Sequence, residues 1–333
     1  MSAGRAVHPA LSPARPASAT PFLSSQERFL MLVSEQPVVA ARRSATGLWS
    51  LVLAGVLWGS GGPTGSLLAY ETGLSPLAVA SYRLAVAGLL VIGWLCLARK
   101  PLPRSRDAWA RIIVNALLAA VFQTSFFAAV SLTNVSLATL LTIGASPALV
   151  LAAERVAGRR RVGASRLAAV ALAVAGLALL VGTPAGGITT TGALTGGGLA
   201  LLAAAGFAAL TVIGTRPVAG LDDLTATGVS FAIGGVVLAA ASTLTSGMSF
   251  VPTPTSVGLL LLLGAVPTAT AYALYFRGLR TIAASTAALI ALLEPLVATL
   301  LAILFLGDRL SAAGLVGAGL ITTAIVLNTR GQR

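Results

Sequence analysis

Residues 291–310 read ALLEPLVATLLAILFLGDRL, an apolar run with a glutamate and a proline side by side. Charged groups avoid hydrocarbon and proline removes a helical hydrogen bond. Glu294 and Pro295 therefore need a reason inside what otherwise reads as a helix long enough to cross a bilayer, for which about 20 apolar residues suffice. The stretches around them supply the context.

The chain of 333 residues is 56% hydrophobic and 9% charged, with a mean hydropathy of +0.93. Soluble domains carry roughly 25% charged residues, so this chain cannot cover itself with a water-facing surface. Reading apolar runs against turns and charges gives ten spans. They lie at about 48–70, 76–98, 109–130, 134–154 and 165–183, then 195–215, 224–245, 256–277, 283–306 and 311–329. The loops between them are short, so neighbouring spans run antiparallel. The expected fold is an all-α membrane protein of ten transmembrane helices.

Orientation follows from the basic residues, which collect in cytoplasmic loops. Arg5, Arg15, Arg28, Arg42, Arg43, Arg99, Lys100, Arg104, Arg106 and Arg111 fall on the side of the N-terminus. So do Arg155, Arg159, Arg160, Arg161, Arg166, Arg216, Arg277, Arg280, Arg330 and Arg333, together twenty of the 22 Lys and Arg. Only Arg309 falls on the other side, and Arg83 lies within a span. Both termini are thus expected in the cytoplasm. The net charge of +13 is a topology signal and not a nucleic-acid footprint. Trp49, Trp94 and Trp109 near cytoplasmic ends and Tyr70 near an outer end suit interfacial anchors.

Residues 1–46 differ: Ala, Pro, Ser and Arg with little periodicity, read as a disordered cytoplasmic tail without a signal peptide. Met31 is an alternative start, since nothing before it is needed for the fold. His8 lies in this tail, and Cys96 is the single cysteine, so no intrachain disulfide or metal-ligand spacing exists in the sequence. No cofactor and no metal is expected.

The halves resemble each other at an offset of about 149 residues. LVLAGVLWG (51–59) aligns with ALLAAAGFA (200–208), placing Trp58 opposite Phe207. SYRLAVAGLLV (81–91) aligns with SFAIGGVVLAA (230–240), and FFAAVSLTNVSLATLL (126–141) with YFRGLRTIAASTAALI (275–290). After a one-residue slip Pro147 pairs with Pro295 and Ser146 with Glu294. Five spans per repeat is an odd number, so the second repeat enters the membrane inverted, an arrangement common in secondary transporters. The domains are read as 1–46, 47–183 and 194–329.

At WGSGGP (58–63), SYRLAVAGLL (81–90) and above all AYALYFRGLRTIAASTAALIALLEPLVATLLAILFLGDRLS (271–311), the sequence resembles the EamA-type family of the drug/metabolite transporter superfamily. The resemblance covers about 48–329. It implies a ten-helix bundle in the bacterial plasma (inner) membrane that moves small metabolites, amino acids or drugs, often outward. The first repeat departs from the family pattern: AGRRRVG (157–163) stands where a Gly-Glu-Arg-like turn is expected, and Ala145-Ser146-Pro147 replaces a Glu-Pro-like pair. Any acidic role falls to the second repeat.

Glu294 lies about eleven residues from each end of its span, where an ionised carboxylate costs on the order of 3 kcal/mol. It shares a helical face with Ala284, Ala287, Ala291 and Ala298, and is read either as a substrate or proton site or as a buried structural acid. Arg83, about seven residues inside its span, is read as its ion-pair partner, as a substrate-carboxylate site, or as a side chain snorkelling outward. Pro147 and Pro295 are hinge candidates, each freeing the carbonyl four residues earlier for a ligand, or else simple packing kinks. Thr139, Thr142 and Ser146 share a face of the fourth span. Asn115, Gln123 and Thr124 lie in the third and Thr268, Thr270 and Tyr272 in the eighth. Trp58, Phe126 and Tyr275 offer aromatic surface. Satisfied packing competes with ligand contact for each of these. Glu154 beside Arg155 reads as a snorkelling pair.

The functional expectation is a secondary active transporter working by alternating access, read as an exporter of small molecules with protons as the coupling ion. Lys100 in ARKPL is the only lysine and no Walker A motif, which leaves a gradient as the energy source. An importer or facilitator of the same fold is the alternative. From other classes stand an intramembrane enzyme, against which the spans hold no histidine and no catalytic constellation, and a sensor or assembly protein.

Overall fold

Helix caps set where the spans begin. The computed structural model describes residues 45–156, 163–182, 189–306 and 310–330. Ser75 accepts the Ala78 N–H at 3.2 Å, with Pro76 at the first helical position. Ser105 accepts from Ala108 at 3.2 Å, Thr189 from Gly192 at 3.1 Å and Asp222 from Thr225 at 3.0 Å. Thr253 and Ser256 close a reciprocal capping box ahead of Pro254. Each supplies an acceptor to amides that have no partner in a first helical turn.

The helices are α1 (Ala45–Thr72), α2 (Pro76–Leu97), α3 (Arg106–Leu132), α4 (Val135–Val156) and α5 (Ala164–Val181). They continue as α6 (Thr190–Gly214), α7 (Asp223–Thr245), α8 (Pro254–Gly278), α9 (Ala284–Phe305) and α10 (Ala312–Arg330). All ten are long and apolar enough to cross a membrane, and the described residues form no sheet. Large apolar side chains stand exposed around the bundle, Leu89, Val236 and Phe305 among them. Such a surface needs lipid as its solvent. The expected tail up to residue 44, most of the AGRRRVG turn and the Gly-Asp-Arg turn after α9 lie outside the described residues.

The packing has a twofold pattern in which α1–α5 exchange with α6–α10. Two mate pairs sit on the axis, α2 along α7 and α5 along α10. Off the axis, α3 packs on α6 and α7, and correspondingly α8 packs on α1 and α2. The contact of α4 with α6 is mirrored by α9 on α1, where Gly55 and Gly59 receive Leu293 and Val297. The axial crossing of α2 and α7 depends on two glycines. A Cβ on Gly88 would stand 2.6 Å from Ala232 Cα, and one on Gly235 would stand 2.7 Å from the Ala85 amide. The two pairs are antiparallel and reciprocal, as small residues at close helix crossings allow.

The loops α2–α3, α4–α5, α6–α7 and α8–α9 share one face of the bundle, here the basic face because Arg99, Lys100, Arg216 and Arg280 lie on it. The pair of Arg280 with Asp223 and the Arg111 Nη1 bonds to the Ile213 and Arg216 carbonyls, at 2.9 and 3.0 Å, tie helix ends together there.

Candidate functional site

Three of the ten helices are jointed, and the joints meet. α1 breaks at Ser60, whose hydroxyl donates to the Leu57 carbonyl at 2.7 Å. α8 widens into a π-type turn over Ala265–Thr270. There Pro267 leaves the Leu263 carbonyl without its helical amide, and the Thr268 hydroxyl takes that carbonyl at 2.7 Å. α9 breaks at Ala291–Leu292, between Ala284–Ile290 and Leu293–Leu301. Gly59 of α1 lies against Val297 of α9, and Gly61 lies against Pro267 of α8, with Cβ positions 2.5 and 3.3 Å from them. The twofold mates α6, α3 and α4 are continuous over the same lengths.

Below the joints, toward the basic face, aromatic rings fill the bundle. Trp58 stands 4.9 Å from Tyr272 and 4.8 Å from Tyr275 between ring centroids. Phe207, its repeat mate, meets it edge-on at 6.0 Å, and Phe231 meets Tyr272 at 4.8 Å. Tyr275 is 1% exposed, and its hydroxyl lies 2.9 Å from that of Thr211. Thr211 spends its single proton on the Phe207 carbonyl at 2.9 Å. Tyr275 must therefore be the donor and Thr211 the acceptor.

Above the ring cluster lie polar groups without partners. Glu294 is about 15 Å along α9 from either end, deep inside the bundle, yet part of its surface stays open. No hydrogen bond or ion pair holds it among the described residues. Arg83 is near enough for its charge to act on both Glu294 and Tyr272, but no ion pair joins Arg83 to Glu294. Its Nε is buried without a partner, as is the indole N–H of Trp58. A guanidinium and a carboxyl thus lie near the phenol of Tyr272 at the edge of the aromatic cluster.

The joint in α9 changes two sequence readings. Ala284, Ala287 and Ala291 are buried, but the break after Ile290 ends any single face running from them to Glu294 and Ala298. The carbonyl that Pro295 leaves without its helical donor is that of Ala291. The Glu294 amide takes it at 3.0 Å, so it is not left without a donor. Pro147 lies within an unbroken α4.

Of the other expected residues, Thr142 donates to the Ala200 carbonyl of α6 at 3.1 Å. Ser146 donates to the Thr142 carbonyl at 2.6 Å, so both hydroxyl protons are engaged in packing. Gln123 is 4% exposed and follows Phe122, whose ring stands 5.8 Å from Phe207. Glu154 is no snorkelling pair with Arg155. It is 6% exposed, and its Oε1 accepts the Ser285 N–H at the start of α9 at 3.4 Å. Sequence reasoning missed Thr211 entirely, because a threonine in an apolar helix gives no sign of which ring it meets.

The chain is 30% identical over 287 residues to the Uncharacterized transporter YwfM of Bacillus subtilis, covering 85% of this chain and 93% of that protein. It is 26% identical over 287 residues to the Uncharacterized inner membrane transporter YicL of Salmonella typhimurium, covering 84% and 94%. Protein PecM of Dickeya dadantii is 30% identical over 253 residues, covering 76% and 82%. A protein of known crystal structure superposes with a TM-score of 0.71 at 17% identity, over 87% of this chain and 98% of its own. That likeness speaks for the fold alone. The model of the EamA-like transporter family matches twice, at residues 45–182 and 194–330, once for each set of five helices. This multi-pass membrane protein therefore belongs to the EamA-like transporter family.

Proposed function

We propose that the chain is a secondary active transporter of the bacterial inner membrane, and that it exports small molecules by alternating access with protons as the coupling ion. The observation that carries this reading is the pair of buried donors without partners, Arg83 Nε and the Trp58 indole N–H, with Glu294 and Tyr272 within reach of the Arg83 charge. Buried polar groups are normally satisfied, and leaving these donors open makes sense where a solute completes them. The chemistry suits a solute with an acidic group for Arg83 and an apolar body for Trp58, Tyr272 and Tyr275. Glu294 binds a proton or a basic group of the solute. Gln123, Thr142 and Ser146 stand as further lining candidates, and Pro147 and Pro295 as hinges. The twenty basic residues that the sequence sets on the N-terminal side of the spans, with Arg99, Lys100, Arg216 and Arg280 on the basic face, support a cytoplasmic location for both termini and for that face.

The test is an efflux screen in cells that overproduce the protein, run against a panel of amino acids and drugs beside Glu294→Ala and Arg83→Ala. Solutes expelled by the wild type and retained by both variants support the reading. Full transport in Arg83→Lys and Arg83→Ala would remove Arg83 from the site. In proteoliposomes, Glu294→Gln is expected to abolish the pH dependence of transport, and an unaltered pH profile would end the proton-coupling proposal. Uptake in place of efflux would favour the importer or facilitator reading.

A further inference from the structure

The two halves of α9 have different neighbours. Ala284–Ile290 is buried at every residue and packs on α4, α6 and α10. Of Leu293–Leu301 only Pro295 is buried, and this half leans on α1. On the basic face α4 and α9 are thus joined. Toward the opposite face α4 stays with α3 and α6 through Ala129, Ala138 and Ala200, while α9 goes with α1. The aromatic wall lies on the joined side, and Glu294 and Arg83 on the parted side. The close packing of α9 on α4 thus lies on the basic side.

At the joined end sits Glu154, a carboxylate that the site above does not use. Its Oε1 takes the Ser285 amide at 3.4 Å, and both its Oε2 and the Ser285 Oγ are buried without partners. One residue on, the Thr286 hydroxyl accepts from Asn328 Nδ2 of α10 at 3.1 Å. An α9 that moves off α4 must break the Glu154 contact. The bond is long by hydrogen-bond standards, so it holds α9 without locking it. We propose that Glu154 is a positioning residue of the transport cycle, a latch from the first repeat that holds the start of α9 and keeps the basic side closed. This rests on the alternating-access reading and names the contact that must open in it.

The latch is tested by thiol accessibility in intact cells and inverted vesicles. Cys96 is the only cysteine and is exposed, so Cys96→Ser provides a clean background. Ala288→Cys, one turn on from Ser285 and 2% exposed, reports opening at the basic face. Ala298→Cys, partly exposed in the second half of α9, reports opening at the other. With Glu154 intact, an impermeant maleimide labels Ala298→Cys and spares Ala288→Cys. Glu154→Ala and Glu154→Asp are expected to raise labelling of Ala288→Cys up to about tenfold, the scale of one lost hydrogen bond, and to slow Ala298→Cys. Glu154→Gln keeps an acceptor for the Ser285 amide and adds a donor for its hydroxyl. It should label like the parent or more slowly, an outcome that a purely steric role for Glu154 does not give. Equal shifts in the Gln and Ala variants, or none in Ala and Asp, overturn the latch. Reporters that move oppositely in Glu294→Ala but ignore Glu154 would overturn the latch and leave alternating access standing. Reporters that never move oppositely in any variant would overturn both.

Discussion

Replacing Thr211 by valine keeps the shape of the side chain and removes one oxygen. Thr211 is 0% exposed and Tyr275 1% exposed, so no water reaches the hydroxyl left behind. The Tyr275 proton then has no acceptor, and an orphaned buried donor costs about 1–3 kcal/mol. The Phe207 carbonyl, which is still held within its helix, loses only a secondary contact. Tyr275→Phe removes donor and demand together. Thr211 keeps its bond to Phe207, so this variant should cost about 1 kcal/mol or less. The double variant should be no worse than Thr211→Val alone, giving a favourable coupling of about 1 kcal/mol in a double-mutant cycle. The assay is thermal unfolding of purified protein in one detergent at one scan rate, because membrane proteins of this size seldom unfold reversibly. A cost of about 2 kcal/mol corresponds to a drop of a few degrees in midpoint. Additive losses, or a Tyr275→Phe loss as large as that of Thr211→Val, would refute the donor assignment.

Other outcomes follow from the packing. Gly235→Ala should destabilise by about 1–3 kcal/mol, because its Cβ meets Ala85 backbone. Gly93→Ala, with nothing within 4 Å of its Cβ, should instead stabilise α2 by about 0.5–1 kcal/mol; the pair is read by the same thermal scans. Burial works against the charge of Asp222, but hydrogen bonds from the Thr225 hydroxyl and amide outweigh it and hold its carboxyl below the usual range. A depressed folded pKa gives stability that is present above the unfolded value near 3.9 and lost as pH falls through the folded one. Asp222→Ala should therefore cost about 1 kcal/mol at neutral pH, a difference from wild type that shrinks on acidification below about pH 4 in midpoint-against-pH measurements.

The spans were legible because length and hydropathy alone separate a membrane helix from a loop, and helix boundaries such as Ser75-Pro76 and Thr253-Pro254 carry their own caps. Glu294 and Arg83 stood out in the sequence for a related reason, being charges where lipid forbids them. What the sequence could not tell is where each side chain points. Glu154 adjoins Arg155, and only the fold brings the start of α9 across to bury it. Pro295 announced a freed carbonyl, but not the break at Ala291–Leu292 that lets the Glu294 amide take it. The Pro267-Thr268 pair did hold a readable signal, a hydroxyl placed beside the proline whose missing amide it replaces.

The joints also bear on how two similar halves could exchange roles. With identical repeats, the packing of α4 on α9 at one face could be traded for the same packing at the other at no net cost. Here the joints fall in α1, α8 and α9, while α6, α3 and α4 run straight. On the proposed alternating-access reading, most of the bending would fall to the three jointed helices, with Pro147 the hinge candidate in their mates. Trp58, Tyr272 and Glu294 each lie within about a turn of a joint, so a solute that draws them together acts on the bending elements directly. On the same reading Arg83, on the continuous and axial α2, would be the fixed point against which they close. A solute held only by Arg83 would bind without moving anything, whereas one that also engages Glu294 couples its binding energy to α9, as a shift between two states requires. On this argument Arg83→Ala should weaken binding, and Glu294→Ala should leave a solute bound but its release to the other side slowed. Equilibrium binding and exchange, measured separately on the same proteoliposomes, would distinguish the two, and a loss of binding in both variants would contradict the division of labour.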